Sequence, residues 1–138
     1  MKLILLLSEN WTMIRGDDLR GQVRMAVEAE AAGFDGVMVS EHVVLGPSAN
    51  ELPGNQDPAT PWPSSIVLLS AIAAATSRIR IIAGAVIAPL RHPLLLAREL
   101  GSLDLLAEGR LVVLPTVSWH RDEYAALGLP PTYRAVTV

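Results

Sequence analysis

The fold is decided by residues 78–114, which read RIRIIAGAVIAPLRHPLLLARELGSLDLLAEGRLVVL. An apolar run, Arg78–Ala83, is followed by a short turn, Ala85–Arg91, and then by leucines at helical spacing. Pro93 suits the first position of that helix, and a second apolar run, Leu111–Leu114, follows it. The stretch therefore predicts strand, helix and strand, the repeating unit of a parallel α/β fold.

The same alternation extends in both directions along the chain. Four apolar runs have the character of buried strands: Lys2–Leu7, Gly36–Ser40, Arg78–Ala83 and Leu111–Leu114. Helical segments are predicted at residues 19–31, at Ile66–Ala75, from Pro93 onward with Leu96, Leu100, Leu103 and Ala107 as its buried stripe, and around Arg121–Leu127. Four β-α units in one domain, residues 1–138, either open into a wound sheet or curl into half a barrel, and periodicity alone does not decide between them.

Composition excludes several classes of function. The chain is 51% hydrophobic and 18% charged, with a net charge of −3, so it lacks the basic surface that nucleic acid requires. It has no cysteine, which excludes disulfides and thiolate chemistry. Lys2–Leu7 is better explained as a buried strand than as a signal peptide. Ile66–Ala75 is too short to cross a bilayer, which takes roughly 20 residues, so we expect a cytoplasmic protein without a membrane partner.

Candidate site residues follow from a rule of parallel α/β folds, in which ligands gather at the carboxyl ends of the strands. The rule selects Ser8–Trp11, Ser40–Val43, Gly84–Ile87 and Thr116–His120. A long stretch rich in Pro, Gly and Asn, Val43–Trp62, has the length of a functional loop or lid.

The pair Glu41-His42 is the sharpest candidate, because it stands directly at the end of the second strand. Histidine transfers protons readily near neutral pH, and a carboxylate beside it could orient the ring. The competing interpretation is that His42 only forms a hydrogen bond within a loop.

For the other two histidines the sequence favours structural roles. His92 is expected to cap the third helix, with Arg91 beside it able to anchor a phosphate or a carboxylate. His120 stands in a polar segment that predicts a solvated helix face. The three histidines lack the spacing of metal ligands, so no metal site is predicted. The motifs of a serine nucleophile elbow and of glycine-rich nucleotide-binding loops are also absent, so any cofactor must bind by another geometry.

Three segments together resemble the bacterial luciferase-like monooxygenase family. They are AEAAGFDGVMVSEH (29–42), AAATSRIRIIAGAVIAPLRHPLLLARELGSLD (73–104) and GRLVVLPTVSWHRDEYAALG (109–128). Members of this family are (β/α)₈ barrels that use FMN or the deazaflavin coenzyme F-420, and the chain is similar in particular to the deazaflavin-dependent branch. The resemblance implies a parallel (β/α)₄ half of such a barrel.

The resemblance also implies roles for individual residues. His42 matches a position beside the flavin ring that assists proton transfer, with Glu41 next to it at the pocket wall, and these two are the predicted catalytic residues. Ala85-Val86 matches a bulge in the third strand where many members hold a non-prolyl cis peptide against the ring. The predicted cofactor contacts are Ser8, Gly84, Ala85, Val86, Thr116 and Trp119.

The chain departs from the family pattern in two places. The glycine-rich turn G-x-G-x-G-W after strand four is replaced by residues 114–119, LPTVSW. A carboxylate that some members carry at the position of Trp119 is absent. Both changes put the cofactor contacts of this turn in doubt.

Length is the larger departure, because a (β/α)₈ barrel takes about 250 residues and the 138-residue sequence covers strands one to four. Half a barrel exposes two strand edges and its apolar interior. At about 25 cal/mol per Å², several hundred Å² of open interior forfeits on the order of 10 kcal/mol, comparable with the stability of a domain. We expect one of three outcomes: two copies close a barrel, the chain rearranges into an open sheet, or a missing half completes it.

The function that the resemblance implies is that of a flavin- or deazaflavin-dependent oxidoreductase, or of its amino-terminal half. Such an enzyme transfers hydride to or from a small organic substrate, or activates oxygen on the reduced flavin. The alternative is a non-catalytic homologue that forms oligomers or holds a ligand. A third reading is an unrelated small α/β protein with a wound sheet. A homodimer or higher homo-oligomer is the expected assembly.

Overall fold

The computed structural model describes residues 1–8, 13–51 and 60–130. These residues form four strands, β1 (Ile4–Leu6), β2 (Gly36–Val39), β3 (Arg80–Ile87) and β4 (Leu111–Thr116). Four α-helices alternate with them, α1 (Leu19–Ala31), α2 (Ser65–Ala75), α3 (Pro93–Leu106) and α4 (Arg121–Ala126). Short 3₁₀ helices lie at Pro47–Glu51 and Ala88–Leu90. The predicted succession of β-α units is confirmed.

The four strands make one parallel sheet in the order β1-β2-β3-β4. Val37 of β2 lies opposite Leu5 on one side and Ile81 on the other, and Ile81 in turn lies opposite Leu111. A doubly wound sheet reverses its strand order at a switch point, whereas this order follows the chain without reversal. The sheet is therefore half of a TIM-type barrel, which settles the choice that periodicity left open.

Local sequence signals set the limits of the helices. Asp18 caps α1, because its side-chain oxygen accepts a hydrogen bond from the Gly21 N–H at 2.8 Å. Gly33 follows the end of α1 with φ of +86°, a left-handed conformation that glycine adopts without strain. His92 caps α3 as predicted, since its Nδ1 accepts from the Leu94 N–H.

Alternate side chains of each strand face the helices and form the core. The core residues on the strands include Leu7, Val37, Val39, Ile81 and Ala83, and those on the helices include Ala26, Leu68, Leu69, Ile72 and Leu103. The opposite face carries Ile4 and Leu114, whose side chains remain 53% and 48% exposed. Within the described ranges this second face, the inner face of the half barrel, is thus partly open to solvent.

The amino ends of the strands are held by polar contacts that serve the fold. The Arg110 guanidinium donates to the carbonyl oxygens of Ala73, Thr76 and Ile79, which ties the end of α2 to β3 and β4. One carboxylate oxygen of Glu30 accepts three successive backbone N–H groups at residues 77–79. Desolvation opposes ionisation of this carboxyl, but the backbone hydrogen bonds outweigh it and lower the pKa of Glu30.

Several predicted boundaries were wrong. β3 continues to Ile87, so residues predicted as a turn belong to the strand, and β4 continues to Thr116. In α3 only Leu103 of the predicted leucine stripe is buried, together with Ala107 just past the helix. The other two leucines of the stripe, Leu96 and Leu100, are half-buried and line an open cavity of about 370 Å³ between α3 and the 3₁₀ turn at Ala88–Leu90. Parts of three predicted segments, residues 9–12, 52–59 and 131–138, lie outside the described residues.

Candidate active site at the carboxyl edge of the sheet

A cavity of about 220 Å³ lies where β2, β3 and β4 end. Its lining residues are Ser40, Glu41, His42, Ala85, Ile87, Thr116, Val117, Ser118 and Trp119. The structure thus brings together five of the residues that the sequence singled out, namely His42, Glu41, Ala85, Thr116 and Trp119. Whether they act in catalysis or bind a cofactor stays a prediction.

The other three predicted contact residues support the cavity from outside its lining. Ser8 is buried, and its hydroxyl lies 2.8 Å from the Ser40 hydroxyl and accepts the Ser40 N–H at 2.6 Å. Val86 is 1% exposed and belongs to the core. Gly84 is closely packed, since a Cβ there would lie 2.8 Å from the Met38 sulfur. These three positions pack behind the residues that line the cavity.

The third strand carries the bulge that the sequence resemblance implied. The register with β4 shifts between Gly84 and Val86, which leaves Ala85 without an opposite residue. The peptide bond between Gly84 and Ala85 is cis. The cis bond thus directly precedes the predicted pair Ala85-Val86, at the point where the strand faces the cavity.

Glu41 is tied to its neighbours through both carboxylate oxygens. Oε1 accepts from the Ser65 hydroxyl and Oε2 from the Ile87 N–H, at 2.6 and 2.9 Å. Arg91 binds both oxygens in a bidentate pair at 2.6 and 2.7 Å, and these hydrogen bonds raise the pKa of Arg91. Arg91 therefore anchors a carboxylate of the chain itself. Glu41 does not take the predicted part of orienting the His42 ring, because its carboxylate points toward α2 and the end of β3.

His42 is oriented by other residues. Its Nδ1 lies 3.3 Å from Oε1 of Glu123, which comes from α4, 81 positions later in the chain. The rings of Trp62 and Trp119 meet the imidazole edge-on, at centroid distances of 4.7 and 5.2 Å. The His42 side chain is 9% exposed. Its Nε2 makes no hydrogen bond among the residues described, so this nitrogen remains available at the cavity.

Glu123 is a fully buried carboxylate, and sequence reasoning missed it. Oε1 accepts the Val43 N–H at 2.7 Å, and Oε2 accepts the Ser118 hydroxyl. Desolvation favours the neutral acid, but the hydrogen bonds from His42, Ser118 and Val43 outweigh it and lower the pKa of Glu123. The carboxyl is therefore ionised at neutral pH.

The prediction that His120 lies on a solvated helix face was wrong, since its side chain is 1% exposed. The Gly46 N–H donates to its Nε2 at 2.8 Å, so Nε2 carries no hydrogen and the proton of the neutral ring is on Nδ1. Nδ1 faces the Ser48 hydroxyl at 3.4 Å, which donates onward to Asp122 at 2.9 Å. The imidazole is thus an internal link between α4 and the 3₁₀ turn at Pro47–Glu51.

One sequence signal could have revealed the inward face of α4. His120, Glu123 and Tyr124 stand at positions i, i+3 and i+4, which lie on one side of a helix, and all three are buried. The aromatic Tyr124 within this spacing marks the buried side. The carboxylates of Asp122 and Glu123 therefore face the loop after β2, where Ser48 and Val43 donate to them.

Gly46 is required for the close contact between that loop and α4, and we expect Gly46→Ala to destabilise the protein by about 1–3 kcal/mol through overpacking. A Cβ at this position would lie 2.1 Å from Oδ2 of Asp122. The matched control is Gly101→Ala in α3, where a Cβ meets nothing within 4 Å; it should stabilise the helix by about 0.5–1 kcal/mol. Urea unfolding measures both, and equal effects of the two changes would contradict the predicted close contact.

The described residues fit the ring of a flavin-type coenzyme better than its phosphate. The cavity offers the apolar side chains of Ala85 and Ile87, the indole of Trp119 and the imidazole of His42. The guanidinium of Arg91, which contacts the cavity residue Glu41, is committed to that carboxylate. No group of three His, Asp or Glu side chains within the described ranges is arranged to hold a metal ion. The described helices include none that is long and apolar enough to pass through a bilayer.

Comparisons with known proteins agree on one family. The sequence profile of the luciferase-like monooxygenases matches residues 1–135. An F420-dependent glucose-6-phosphate dehydrogenase of Beutenbergia cavernae is 36% identical over 112 residues, covering 80% of this chain and 30% of that protein. An FMNH(2)-dependent dimethylsulfone monooxygenase of Pseudomonas fluorescens is 30% identical over 105 residues, covering 76% of this chain and 26% of that enzyme.

Solved structures give the same result. The crystal structure of the monooxygenase RslO1 from Streptomyces bottropensis superposes with a TM-score of 0.70 and 26% identity, over 98% of this chain and 39% of that one. The chain spans between 26% and 40% of the length of the curated relatives that it matches.

Proposed function

The chain belongs to the luciferase-like monooxygenase family, and from that premise we propose that its residues 1–138 form one half-barrel domain that binds the ring of FMN or coenzyme F420. The reaction is hydride transfer to or from a small organic substrate, or its monooxygenation. The observation that carries the proposal is the cavity at the carboxyl edge, which is lined by His42, whose Nε2 has no hydrogen-bond partner within residues 1–8, 13–51 and 60–130.

The residues around the cavity have different roles in the proposed reaction. When bound, the coenzyme supplies the electron pair, as such groups do in oxidoreductases. The backbone at Ala85 and the side chain of Ile87 form the wall against which the ring lies. Trp62 and Trp119 shield His42 from water at the rim. His42 accepts or donates a proton at Nε2 as the substrate changes charge.

The names of the relatives support both coenzymes. The relative from Beutenbergia cavernae is an F420-dependent enzyme, and the relative from Pseudomonas fluorescens is FMNH(2)-dependent. We therefore propose a coenzyme of this chemical group without choosing between the two.

Titration of the protein with FMN and with F420, each oxidised and reduced, tests the proposal. We expect at least one form to bind, with quenching of tryptophan fluorescence as the ring approaches Trp62 and Trp119. Thr116→Trp should weaken binding at least about tenfold, or ~1.4 kcal/mol, because Thr116 lines the cavity. The control is Val67→Trp at a 61% exposed position on α2. A folded protein that binds none of the four forms would contradict the proposal and favour a non-catalytic homologue.

We further propose that the open inner face is covered by a second copy of the chain. Among the described residues β1 and β4 each pair with one neighbour only, so the sheet has two free parallel edges. A two-fold axis along the barrel keeps all strands pointing the same way, so β4 of each copy can pair in parallel with β1 of the other. The exposed Ile4 and Leu114 then face a closed interior.

Light scattering should accordingly give twice the chain mass of 14.8 kDa. Leu114→Asp places a charge on the inner face and is expected to shift the protein toward monomers, because an unpaired charge is costly to bury. Leu105→Asp is the matched control, since that side chain is 83% exposed and lies on α3. A rigid single copy that binds no hydrophobic dye would contradict the proposed assembly.

A further inference from the structure

Tethering of the loop after β2 does not account for all the contacts of Glu123. Its carboxylate is fully buried on α4, a helix of six residues, and a buried charge is costly unless it is well bonded. Three donors, the Val43 and Val44 N–H groups and the Ser118 hydroxyl, would suffice to fix the loop after β2 to this helix. The fourth partner is different, because His42 lines the cavity.

The contact fixes which nitrogen of His42 carries a hydrogen. An ionised carboxylate only accepts hydrogen bonds, so the nitrogen that faces Oε1 of Glu123 must be protonated. That nitrogen is Nδ1, at 3.3 Å. In the neutral ring Nε2 is then the unprotonated nitrogen, and it is the one left for the cavity. At this distance the bond is weak, so it selects a tautomer without adding much stability.

The two tryptophans limit the orientation of the same ring. Trp62 and Trp119 meet it with interplanar angles of 83° and 73°. A half turn of the imidazole between them would place a ring carbon against Oε1 of Glu123 and lose the hydrogen bond. The aromatic contacts therefore set the ring plane, and the carboxylate sets which edge of the ring faces the cavity.

We propose that Glu123 is a positioning residue for His42: it holds the tautomer with hydrogen on Nδ1 and so keeps Nε2 ready to accept a proton from substrate. This inference rests on the proposed function of the cavity. Ser118 supports it by holding the opposite oxygen of the carboxylate and by accepting the His120 N–H at 3.0 Å.

The ring nitrogens of His42 test this directly by ¹⁵N NMR of the protein without coenzyme at neutral pH, assigned by comparison with His42→Ala. We expect Nδ1 in the protonated range and Nε2 in the unprotonated range. A hydrogen on Nε2 in the parent protein overturns the inference, whatever any variant does.

Two variants of Glu123 distinguish its role in positioning the His42 ring from its role in tethering the loop after β2. In Glu123→Gln the Val43 N–H must face the amide oxygen, which then also accepts from His42, so the tautomer should persist. In Glu123→Ala the acceptor is gone, and the form with hydrogen on Nε2 should become the majority. Ser118→Ala, which touches only the other oxygen, should leave the tautomer unchanged. If Glu123→Ala folds and keeps hydrogen on Nδ1, the inference fails.

Turnover gives a second readout. We expect Glu123→Ala to lower kcat at least about tenfold with KM little changed, and Glu123→Gln to recover most of the loss. Failure of the inference is distinguishable from failure of the proposed function. If the tautomer is as expected but no coenzyme binds, the proposed function fails alone. If coenzyme binds and turnover needs His42 while Nε2 carries the hydrogen, the inference fails alone.

Discussion

Turnover is expected to fall by about 10²–10⁴-fold when His42 is replaced by alanine, the usual contribution of a positioned acid or base. The imidazole brings the Nε2 atom, which makes no hydrogen bond to any residue that the structure describes, and alanine offers no group to accept the proton. Thermal stability should change little, because the side chain makes one long hydrogen bond and three edge-on ring contacts. Steady-state kinetics and thermal unfolding of the same preparation measure the two effects, and coenzyme titration confirms that the site is intact.

His92→Ala is the matched control for this experiment. His92 is exposed and caps α3 through its Nδ1, so its loss should cost about 1 kcal/mol of stability and leave turnover unchanged. The opposite pattern at His42, a large loss of melting temperature with normal coenzyme response, would assign that residue to the structure instead.

Replacing Arg91 with leucine is expected to destabilise the protein by about 3–5 kcal/mol, the cost of removing one partner of a buried ion pair. The Glu41 side chain is 3% exposed and would be left with only the Ser65 hydroxyl and the Ile87 N–H as donors. Urea unfolding at neutral pH measures the loss. The double change Glu41→Leu with Arg91→Leu should cost less than Arg91→Leu alone, because no charge is then left unpaired.

Arg15→Leu provides the comparison with an exposed pair. The Arg15 side chain is 81% exposed and meets Asp17 at 2.6 Å, the same distance as in the Arg91–Glu41 pair. Solvent screening leaves such a pair with little effect on stability. If Arg91→Leu costs no more than Arg15→Leu, then Glu41 is better solvated than its burial indicates.

The sequence predicted the elements well because their signals are local. Apolar runs and helical spacing placed the four strands and four α-helices of the described residues, and His92 caps α3 as its position suggested. The ends of β3 and β4 were missed because Gly84 and Pro115 resemble turn residues. In the structure the first lies at a bulge and the second at a strand edge, and both are tolerated there.

The site was predicted only in part, for two physical reasons. Successive side chains along an extended chain point to opposite sides, so Glu41 and His42 diverge although they are adjacent in sequence. Glu41 follows the helix-facing side and His42 the inner side. The true partner of His42 is Glu123, and a contact across 81 positions leaves no local signal. A charged segment such as residues 121–123 is normally solvated, which concealed the buried face of α4.

The two rims of this half barrel have different roles: the contacts at the amino rim hold the fold together, and the carboxyl rim carries the candidate site. At the amino rim, the side chains of Arg110 and Glu30 form hydrogen bonds with backbone groups and do not line the cavity. Substitutions near His42 or Trp119 therefore leave these hydrogen bonds of Arg110 and Glu30 intact. Laboratory evolution of a new substrate preference can consequently vary residues at the carboxyl rim while the contacts at the amino rim preserve the fold.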